Sequence, residues 1–265
     1  MGHDIVLSDI KRDYVHRLAA EGRREDGRGF LEFRNVEVRP GIIGKAEGSA
    51  EVLLGSTRVL AGVKMIIGTP YPDTPDKGAM ATGVELNPIA APDFESGPPR
   101  EKAIELGRVV DRGIRESGLI DMKALCIEPG EKIWMAFIDI DILDFDGNLF
   151  DACSLAATAA LLDAKVPISQ VDETKKDYPL PISEIIPIQT TFAKLGDAIM
   201  VDPSLNEEQC MDVRLTVSTD QNGNIRAMQK GGGSGSFSRD EILETCRKAR
   251  DIQVGLRSLL EGIRA

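Results

Sequence analysis

The stretch FIDIDILDFDGNLFDACSLAATAALLDAKVP, residues 137–167, decides the fold. In its first part apolar residues alternate with aspartates, which predicts a strand, and the turn Asp146-Gly147-Asn148 follows. Its second part, from Asp151 onward, is rich in alanine and predicts a helix whose small side chains let it approach a sheet closely. We expect Val166-Pro167 to end that helix. Strands that lead into helices in this way are typical of an α+β fold.

The elements predicted on either side repeat this order. Strands are predicted at residues 30–40, 50–54, 58–68, 81–90, 122–128 and 132–143, and again at 185–193, 198–202, 211–217 and 224–229. Helices are predicted from Ser8 to Gly22, over residues 100–117, and from Ser238, where Glu241 completes a capping box. The spacing predicts an inward face of Ile10, Tyr14 and Leu18 for the first helix, and of Ala103, Leu106, Val110 and Ile114 for the second. Residues 70–99 hold seven prolines and predict loops. The two halves therefore resemble each other in plan.

Composition limits the kind of protein and its partners. The 265 residues are 42% hydrophobic, enough for one sizeable core or two lobes. Four cysteines without a C-x-x-C pair and two histidines, His3 and His16, argue against structural zinc and against a disulfide framework. No apolar run approaches the roughly 18 residues that span a bilayer, so we expect a cytoplasmic protein without a membrane partner. The net charge of −11 means that any nucleic-acid contact needs a local basic patch.

Such a patch is offered by three arginines that share one narrow stripe of the helix predicted at 100–117: Arg108, Arg112 and Arg115. Together they could contact phosphates. The same stripe carries Glu101 and Glu105, which offer carboxylates three or four residues before the arginines. Only Asp111 stands four residues before Arg115, so neutralisation is weakest there. The residues alone leave both a phosphate-binding face and a set of internal ion pairs open.

Three other groups of residues have an ordinary structural explanation beside a functional one. The aspartates of residues 139–146 suggest a cation site, but they miss the calcium-loop spacing and fit a strand and turn. Asp202, Glu207 and Glu208 follow a strand and could supply acid or base chemistry, or form a solvated loop. The glycine-rich run 231–236 lacks the lysine of a P-loop and fits a flexible connector better than a phosphate cradle.

Five segments, taken in order, resemble the RNase PH family of phosphorolytic exoribonucleases: residues 21–30, 50–64, the proline-rich loop, 107–117 and 137–167. The likeness continues through residues 198–209 and the final helix, so it covers nearly the whole chain. Its DGR, GSTRV and DxDxLxxDG elements are specific in combination. Within the family, the likeness is greatest to the non-catalytic RNase PH-like subunits of the archaeal exosome.

The resemblance implies a degenerate site. Active members follow the DG turn with glycine, serine or threonine, and arginine, which bind the attacking phosphate, whereas this chain has Asn148, Leu149 and Phe150. Active members also carry two aspartates around the later strand. Here Asp202 remains, and Glu208 stands at the second position. We therefore expect a degenerate phosphate site, a degenerate acid site, no catalytic residue, and neither a metal nor another cofactor.

The resemblance also implies the architecture and the partners. We expect an N-terminal helix and arm (1–29) and two pseudo-symmetric βαβ-containing RNase PH-like lobes (30–180 and 181–265), the second with the C-terminal helix. The partners would be the catalytic RNase PH-like exosome subunit, in a hexameric ring of three heterodimers, RNA-binding cap subunits, and single-stranded RNA held by Arg108, Arg112 and Arg115. The alternatives are an autonomous phosphorolytic exoribonuclease that uses Asp202 and Glu208, and a purely architectural subunit without RNA contacts.

Overall fold

The computed structural model describes residues 2–263, with side chains from Asp9 onward. A mixed six-stranded sheet contains β1 (Val36–Pro40), β2 (Gly48–Leu54), β3 (Thr57–Gly68), β4 (Ala79–Leu86), β5 (Cys126–Glu128) and β6 (Lys132–Asp144). Its order is β1-β2-β3-β6-β4, and β5 pairs with the start of β6. β4 runs parallel to β6, whereas the other neighbours pair antiparallel.

A second sheet of four strands follows a short hairpin. The hairpin pairs β7 (Lys165–Val166) with β8 (Tyr178–Pro179). The second sheet contains β9 (Ile188–Leu195), β10 (Ala198–Val201), β11 (Val213–Thr219) and β12 (Ile225–Gly231), in the order β10-β9-β11-β12. β10 and β11 both pair antiparallel with β9, so they run in the same direction.

Within residues 2–263, five α-helices accompany the sheets: α1 (Gly2–Ala20), α2 (Glu101–Arg115), α3 (Leu149–Leu162), α4 (Leu205–Cys210) and α5 (Arg239–Ser258). α2 connects the parallel strands β4 and β6, and α4 connects the like-directed strands β10 and β11. Each lobe therefore contains a βαβ unit, as predicted.

Two helices lie between the sheets. α3 is buried along its whole length and packs on β2, β3 and β9, while α2 packs on β4 and reaches β12. From β9, Gln189 donates a hydrogen bond to the Val109 carbonyl of α2. The next residue, Thr190, accepts one from Gln253 of α5. Because successive strand residues point to opposite faces, α5 covers the outer face of the second sheet.

The predicted helix at 100–117 is confirmed as α2, with its inward face buried: Ala103, Leu106, Val110 and Ile114. The capping box of Ser238 and Glu241 is also confirmed. The alanine-rich helix, in contrast, begins at Leu149 and already ends at Leu162, so Val166 belongs to a strand and does not end it. The turn at Asn148 leads directly into the helix, which explains the earlier start.

The prediction for the first helix was wrong in two respects. α1 begins at Gly2, so Ser8 lies inside the helix and does not begin it. Ile10 and Tyr14, which we expected to face inward, are 65% and 43% exposed. Beside Leu18, which is buried as predicted, the buried face carries Val15 and Ala19. This face packs on α4, a helix that the sequence did not predict.

Candidate functional site

The stripe on α2 is exposed, and its arginines differ in their partners. Arg115 donates to the Asp111 carboxylate over 2.9 Å and to the Met80 carbonyl over 2.9 Å. Arg108 and Arg112 have no hydrogen bond or ion pair with any side chain from residue 9 to 263. The expectation that Arg115 has the weakest claim to neutralisation was therefore wrong, and the two other guanidinium groups are the unpaired ones.

Glu105 does not neutralise the arginines of the stripe, because it pairs with a residue far away in the chain. Its carboxylate accepts a hydrogen bond of 2.7 Å from Arg214 of β11, a residue 109 positions away. The Arg214 side chain is only 7% exposed, so this ion pair is partly desolvated. A local pair on an exposed helix face contributes only about 0.2–0.5 kcal/mol, so a better-buried partner displaces it.

Asn148, at the start of α3, adopts left-handed backbone with φ 56°. Its side-chain nitrogen donates to Asp151 over 2.9 Å and to Asp202 over 2.8 Å, and its backbone N–H donates to Glu208 over 2.8 Å. The preceding Gly147 has φ 88° and lies so close to residues 203–205 that a Cβ would be 2.6 Å from their backbone. The turn therefore brings together the residues predicted for the phosphate and acid sites.

Asp202 is fully buried and its carboxylate accepts five hydrogen bonds. Arg34 supplies three, from Nη2 at 2.7 Å and from Nε and its backbone N–H at 2.9 Å, Arg28 one at 2.9 Å, and Asn148 the fifth. Burial alone would raise the pKa of Asp202, but the hydrogen bonds and charge of Arg34 hold it below its usual range. The group is an ionised acceptor with no proton to donate.

The neighbouring Glu207 also binds an arginine. Arg24 donates to its two carboxylate oxygens over 2.8 and 2.6 Å, and the two side chains are 0% and 3% exposed. Arg24 also donates to the carbonyls of Val201 and Asp202. The arm between α1 and β1 is thereby fixed to the end of β10. Glu207 is part of this buried contact and not of a solvated loop.

Glu208 is the carboxylate that holds its proton more tightly. Burial raises its pKa above the usual range, although the hydrogen bond from Asn148 and the charges of Arg214 and Arg34 partly offset that effect. A raised pKa suits a general acid. However, one of its oxygens already accepts the Asn148 N–H, so a substrate would have to compete for it.

Phe150 is the third residue of the predicted phosphate site. Its ring is buried, and the Arg214 guanidinium lies 3.8 Å from the ring centroid. This cation–π contact, together with the Glu105 pair, holds the Arg214 charge away from solvent. Asn148, Leu149 and Phe150 are themselves all buried. The α3 N-terminus therefore presents no open cradle for a phosphate.

Sequence reasoning missed the arginines around the acid site. Arg24, Arg28, Arg34 and Arg214 each contact residues that are far away in the chain. Only the DGR element gave a signal, because it contains Arg28. The buried Asp151, which accepts from Asn148 and Thr191, was missed as well.

Other predicted features can be placed. Asp139 and Asp141 project from β6 on one face of the first sheet, and within residues 9–263 no three or more His, Cys, Asp or Glu side chains converge as metal ligands do. The run 231–236 packs on Asp212, whose carbonyl accepts the Gly235 N–H, so the connector is closely packed. None of the helices among residues 2–263 is both long and apolar enough to cross a bilayer.

Known proteins resemble the chain over nearly its full length. The 3' exoribonuclease family models match in both domains, domain 1 at residues 32–167 and domain 2 at 186–252. The Exosome complex component Rrp42 of Methanocella arvoryzae is 52% identical over 258 residues, which cover 97% of this chain and 98% of the relative. That of Pyrococcus horikoshii is 49% identical over 100% of this chain and 98% of its own.

Solved structures agree with this likeness. A chain of the Archaeoglobus fulgidus exosome with RNA bound to the active site has a TM-score of 0.91 and 49% identity, and covers 96% of this chain and 98% of its own. One from an archaeal exosome core has a TM-score of 0.89 and 46% identity, over 98% and 100%. The predicted α+β fold with two RNase PH-like lobes is confirmed. The chain belongs to the 3' exoribonuclease family, also called the RNase PH family.

Proposed function

We propose that the chain is a non-catalytic subunit of an archaeal exosome, and that it helps a catalytic RNase PH-like partner to degrade RNA from the 3' end with phosphate. One observation carries the non-catalytic assignment. Asp202 is buried under five donated hydrogen bonds, from Arg28, Arg34 and Asn148. A general acid must carry a proton that it can release to the leaving group, and this carboxylate has neither the proton nor a free lone pair directed at a substrate.

The phosphate site supports the same proposal. A phosphate needs exposed N–H donors or a free guanidinium. At the start of α3, the Asn148 N–H is bonded to Glu208, the Arg34 guanidinium is bonded to Asp202, and the Arg214 guanidinium is held by Phe150 and Glu105. An attacking phosphate would have to break these contacts first.

The RNA-guiding part of the proposal rests on Arg108 and Arg112. They are exposed, they lie one turn apart on α2, and they have no carboxylate partner among the side chains from residue 9 onward. Unpaired guanidinium groups in a row bind successive phosphates without reading bases, which suits shortening of many different RNAs. Arg115 is a weaker third contact, because RNA would have to compete with Asp111.

The proposed partners follow from the relatives. Curated relatives named exosome components and exosome structures support an assembly with a catalytic RNase PH-like subunit. We propose three such heterodimers in a hexameric ring, with RNA-binding cap subunits, in the cytoplasm. In that ring the chain would shape its partner's active site and supply part of the positive lining of the RNA path.

The test is release of nucleotide from end-labelled single-stranded RNA, with and without phosphate. It compares the chain alone, its catalytic relative alone, and their mixture. We expect phosphate-dependent release of nucleotide by the mixture and no release by the chain alone. Release of nucleoside diphosphates by the chain alone would instead support an autonomous exoribonuclease. Crosslinking of bound RNA to the partner alone would support a purely architectural subunit.

A further inference from the structure

A groove runs between α2 and the inner face of the second sheet, beside Arg108 and Arg112. Its cavity volume is about 410 Å³, within the range of about 300–1,000 Å³ that is usual for small-molecule sites. Ile104 and Val109 of α2 form an apolar wall. We call this hollow the α2 groove.

The floor of the α2 groove is built from three strands in register. Gln189 of β9 pairs with Ser218 of β11, which pairs with Ala227 of β12. Thr216 pairs with Gln229 two residues further along. Because residues two apart share a face, these side chains all point toward α2. The floor therefore offers uncharged hydrogen-bonding groups around one small apolar residue.

Two polar atoms of this floor are incompletely bonded. Gln189 Oε1 and Ser218 Oγ are buried and have no hydrogen-bond partner within the described part of the chain. The Gln189 amide nitrogen is already bonded to the Val109 carbonyl, which fixes the direction of its oxygen. Buried polar atoms without partners are rare in folded proteins and call for a specific explanation.

The rim of the α2 groove is charged, with a positive surplus. Arg108 and Arg112 line it without carboxylate partners among residues 9–263, and Glu101 and Glu105 line it nearer the N-terminus of α2. The charge of Glu105 is compensated by Arg214. The groove thus combines an apolar wall, neutral donors and acceptors, and two available guanidinium groups.

These features match one nucleotide unit. A nucleobase has flat apolar faces and an edge of donors and acceptors, which Gln and Ser side chains recognise in RNA-binding proteins, while its phosphate pairs with arginine. We propose that the α2 groove binds a nucleobase of the RNA whose phosphate is held by Arg108 and Arg112. The inference rests on the proposed RNA-guiding role and adds a base-binding site to it.

The test uses the full chain labelled with 15N at its glutamine side-chain amides, since Gln229 lines the α2 groove. The chain is titrated with adenosine 5'-monophosphate and with ribose 5'-phosphate, which lacks only the base. Loss of one side-chain amide resonance in Gln229→Leu assigns the reporter. We expect the mononucleotide to shift that resonance and to bind about tenfold more tightly than the sugar phosphate.

Variants separate the groove from the stripe. Ala227→Phe should fill the groove and abolish the preference for the mononucleotide, whereas the matched Ile225→Phe, at a 50% exposed position outside the groove, should preserve it. Ile104→Ala should weaken binding of the mononucleotide and leave binding of the sugar phosphate unchanged. Because Ile104 is 51% exposed, this substitution should not unfold the protein.

The outcomes also distinguish this inference from the proposed function. Equal affinity for both ligands, or full mononucleotide binding by Ala227→Phe, would overturn the base site while leaving the arginine stripe intact. Arg108→Ala with Arg112→Ala should weaken both ligands alike. If that double variant changed neither affinity, the stripe itself would bind no phosphate, and the proposed RNA-guiding role would fail with it.

Discussion

The side chain of Asn148 donates a 2.8 Å hydrogen bond to Asp202, and these two residues have left-handed backbone, with φ of 56° and 46°. No other non-glycine residue among 2–263 has positive φ. The pair joins the start of α3 to the end of β10, so each lobe contributes one residue in a costly backbone conformation. The hydrogen bonds around the pair offset that cost and fix the two turns against each other.

Replacing Asn148 should separate the contribution of its side-chain hydrogen bonds to stability from that of its backbone conformation. Asn148→Ala removes the side-chain hydrogen bonds to Asp151 and Asp202. A hydrogen bond to a charged group contributes about 1.5–3 kcal/mol to stability. We expect the free energy of unfolding to fall by about 3 kcal/mol. Asn148→Gly loses the same bonds but tolerates positive φ, so its loss should be about 1 kcal/mol smaller. Urea unfolding followed by Trp134 fluorescence measures both, and equal losses would show that the backbone conformation contributes little.

The Arg34 contact with Asp202 should contribute strongly to stability. Arg34→Met leaves a buried carboxylate with fewer donors, and breaking a buried ion pair costs about 3–5 kcal/mol. Arg247→Met is the matched control, because Arg247 is 74% exposed and pairs with the 52% exposed Glu244, so its loss should be about 0–1 kcal/mol. Comparable urea midpoints for the two variants would contradict the buried pair.

The same variant should alter acid unfolding. The folded pKa of Asp202 lies below its unfolded value, so its contribution is present above the unfolded pKa and disappears as pH falls through the folded one. Without Arg34 that folded pKa rises, and the contribution should disappear at a higher pH. An unchanged acid midpoint in Arg34→Met would argue that Arg28 and Asn148 suffice.

The sequence predicted those features that depend on residues close to one another in the chain. The buried face of α2 follows from spacing of three and four residues, a local property, and it was predicted residue by residue. The strand alternation that identified β6 is equally local. In contrast, α4 has only six residues, too short for a periodic pattern. The lobe boundary near residue 180 stays a prediction.

The candidate site was less predictable, since its contacts are non-local. Arg34 reaches Asp202 across 168 positions, and Arg214 reaches Glu105 across 109. Spacing on a helix suggested that Glu105 would pair with Arg108, but an exposed pair of that kind is too weak to exclude a tertiary partner. The resemblance singled out Asn148, Asp202 and Glu208, because a family motif indicates individual site residues and hydrophobic periodicity does not.

Restoring the family motif alone should not restore activity. The triple variant Asn148→Gly, Leu149→Thr and Phe150→Arg recreates the phosphate-binding element of active members. Arg214 would still pair with Glu105, and Arg34 and Arg28 would still stabilise the ionised form of Asp202. We expect no phosphate-dependent nucleoside diphosphate release by this variant alone. The catalytic relative serves as the positive control, and release by the variant would mean that residues 148–150 are the sole defect.

The arginine stripe should determine the salt dependence of RNA binding. Each phosphate contact on a single strand contributes about 0.7 to the slope of log affinity against log salt concentration. Arg108→Ala with Arg112→Ala, in the mixture with the catalytic relative, should reduce that slope by about 1.4. Arg247→Ala with Arg250→Ala is the control of equal charge, since both arginines are exposed on α5. Arg115→Ala should have a smaller effect because of Asp111, and a slope equal in all variants would contradict phosphate contact.

Asp151 should make stability depend on pH near neutrality. Burial raises its pKa to about 7, despite hydrogen bonds from Asn148 and Thr191. Because the folded state holds this proton more tightly than the unfolded chain does, stability falls as pH rises from about 4 to about 7 and is then constant. A shift from 3.8 to about 7 corresponds to about 4 kcal/mol over that range.

Asp151→Asn removes this titration, so the variant should gain stability relative to the parent chain as pH rises from 5 to 7.5. The comparison is made by urea unfolding at half-unit steps of pH, which cancels the titration of all other groups. Lys165→Gln is a suitable control, since Lys165 is exposed and carries no share of this contact. An unchanged difference in stability between pH 5 and pH 7.5 would mean that the three donated hydrogen bonds outweigh burial and that Asp151 is already ionised in the folded protein, like its neighbour Asp202.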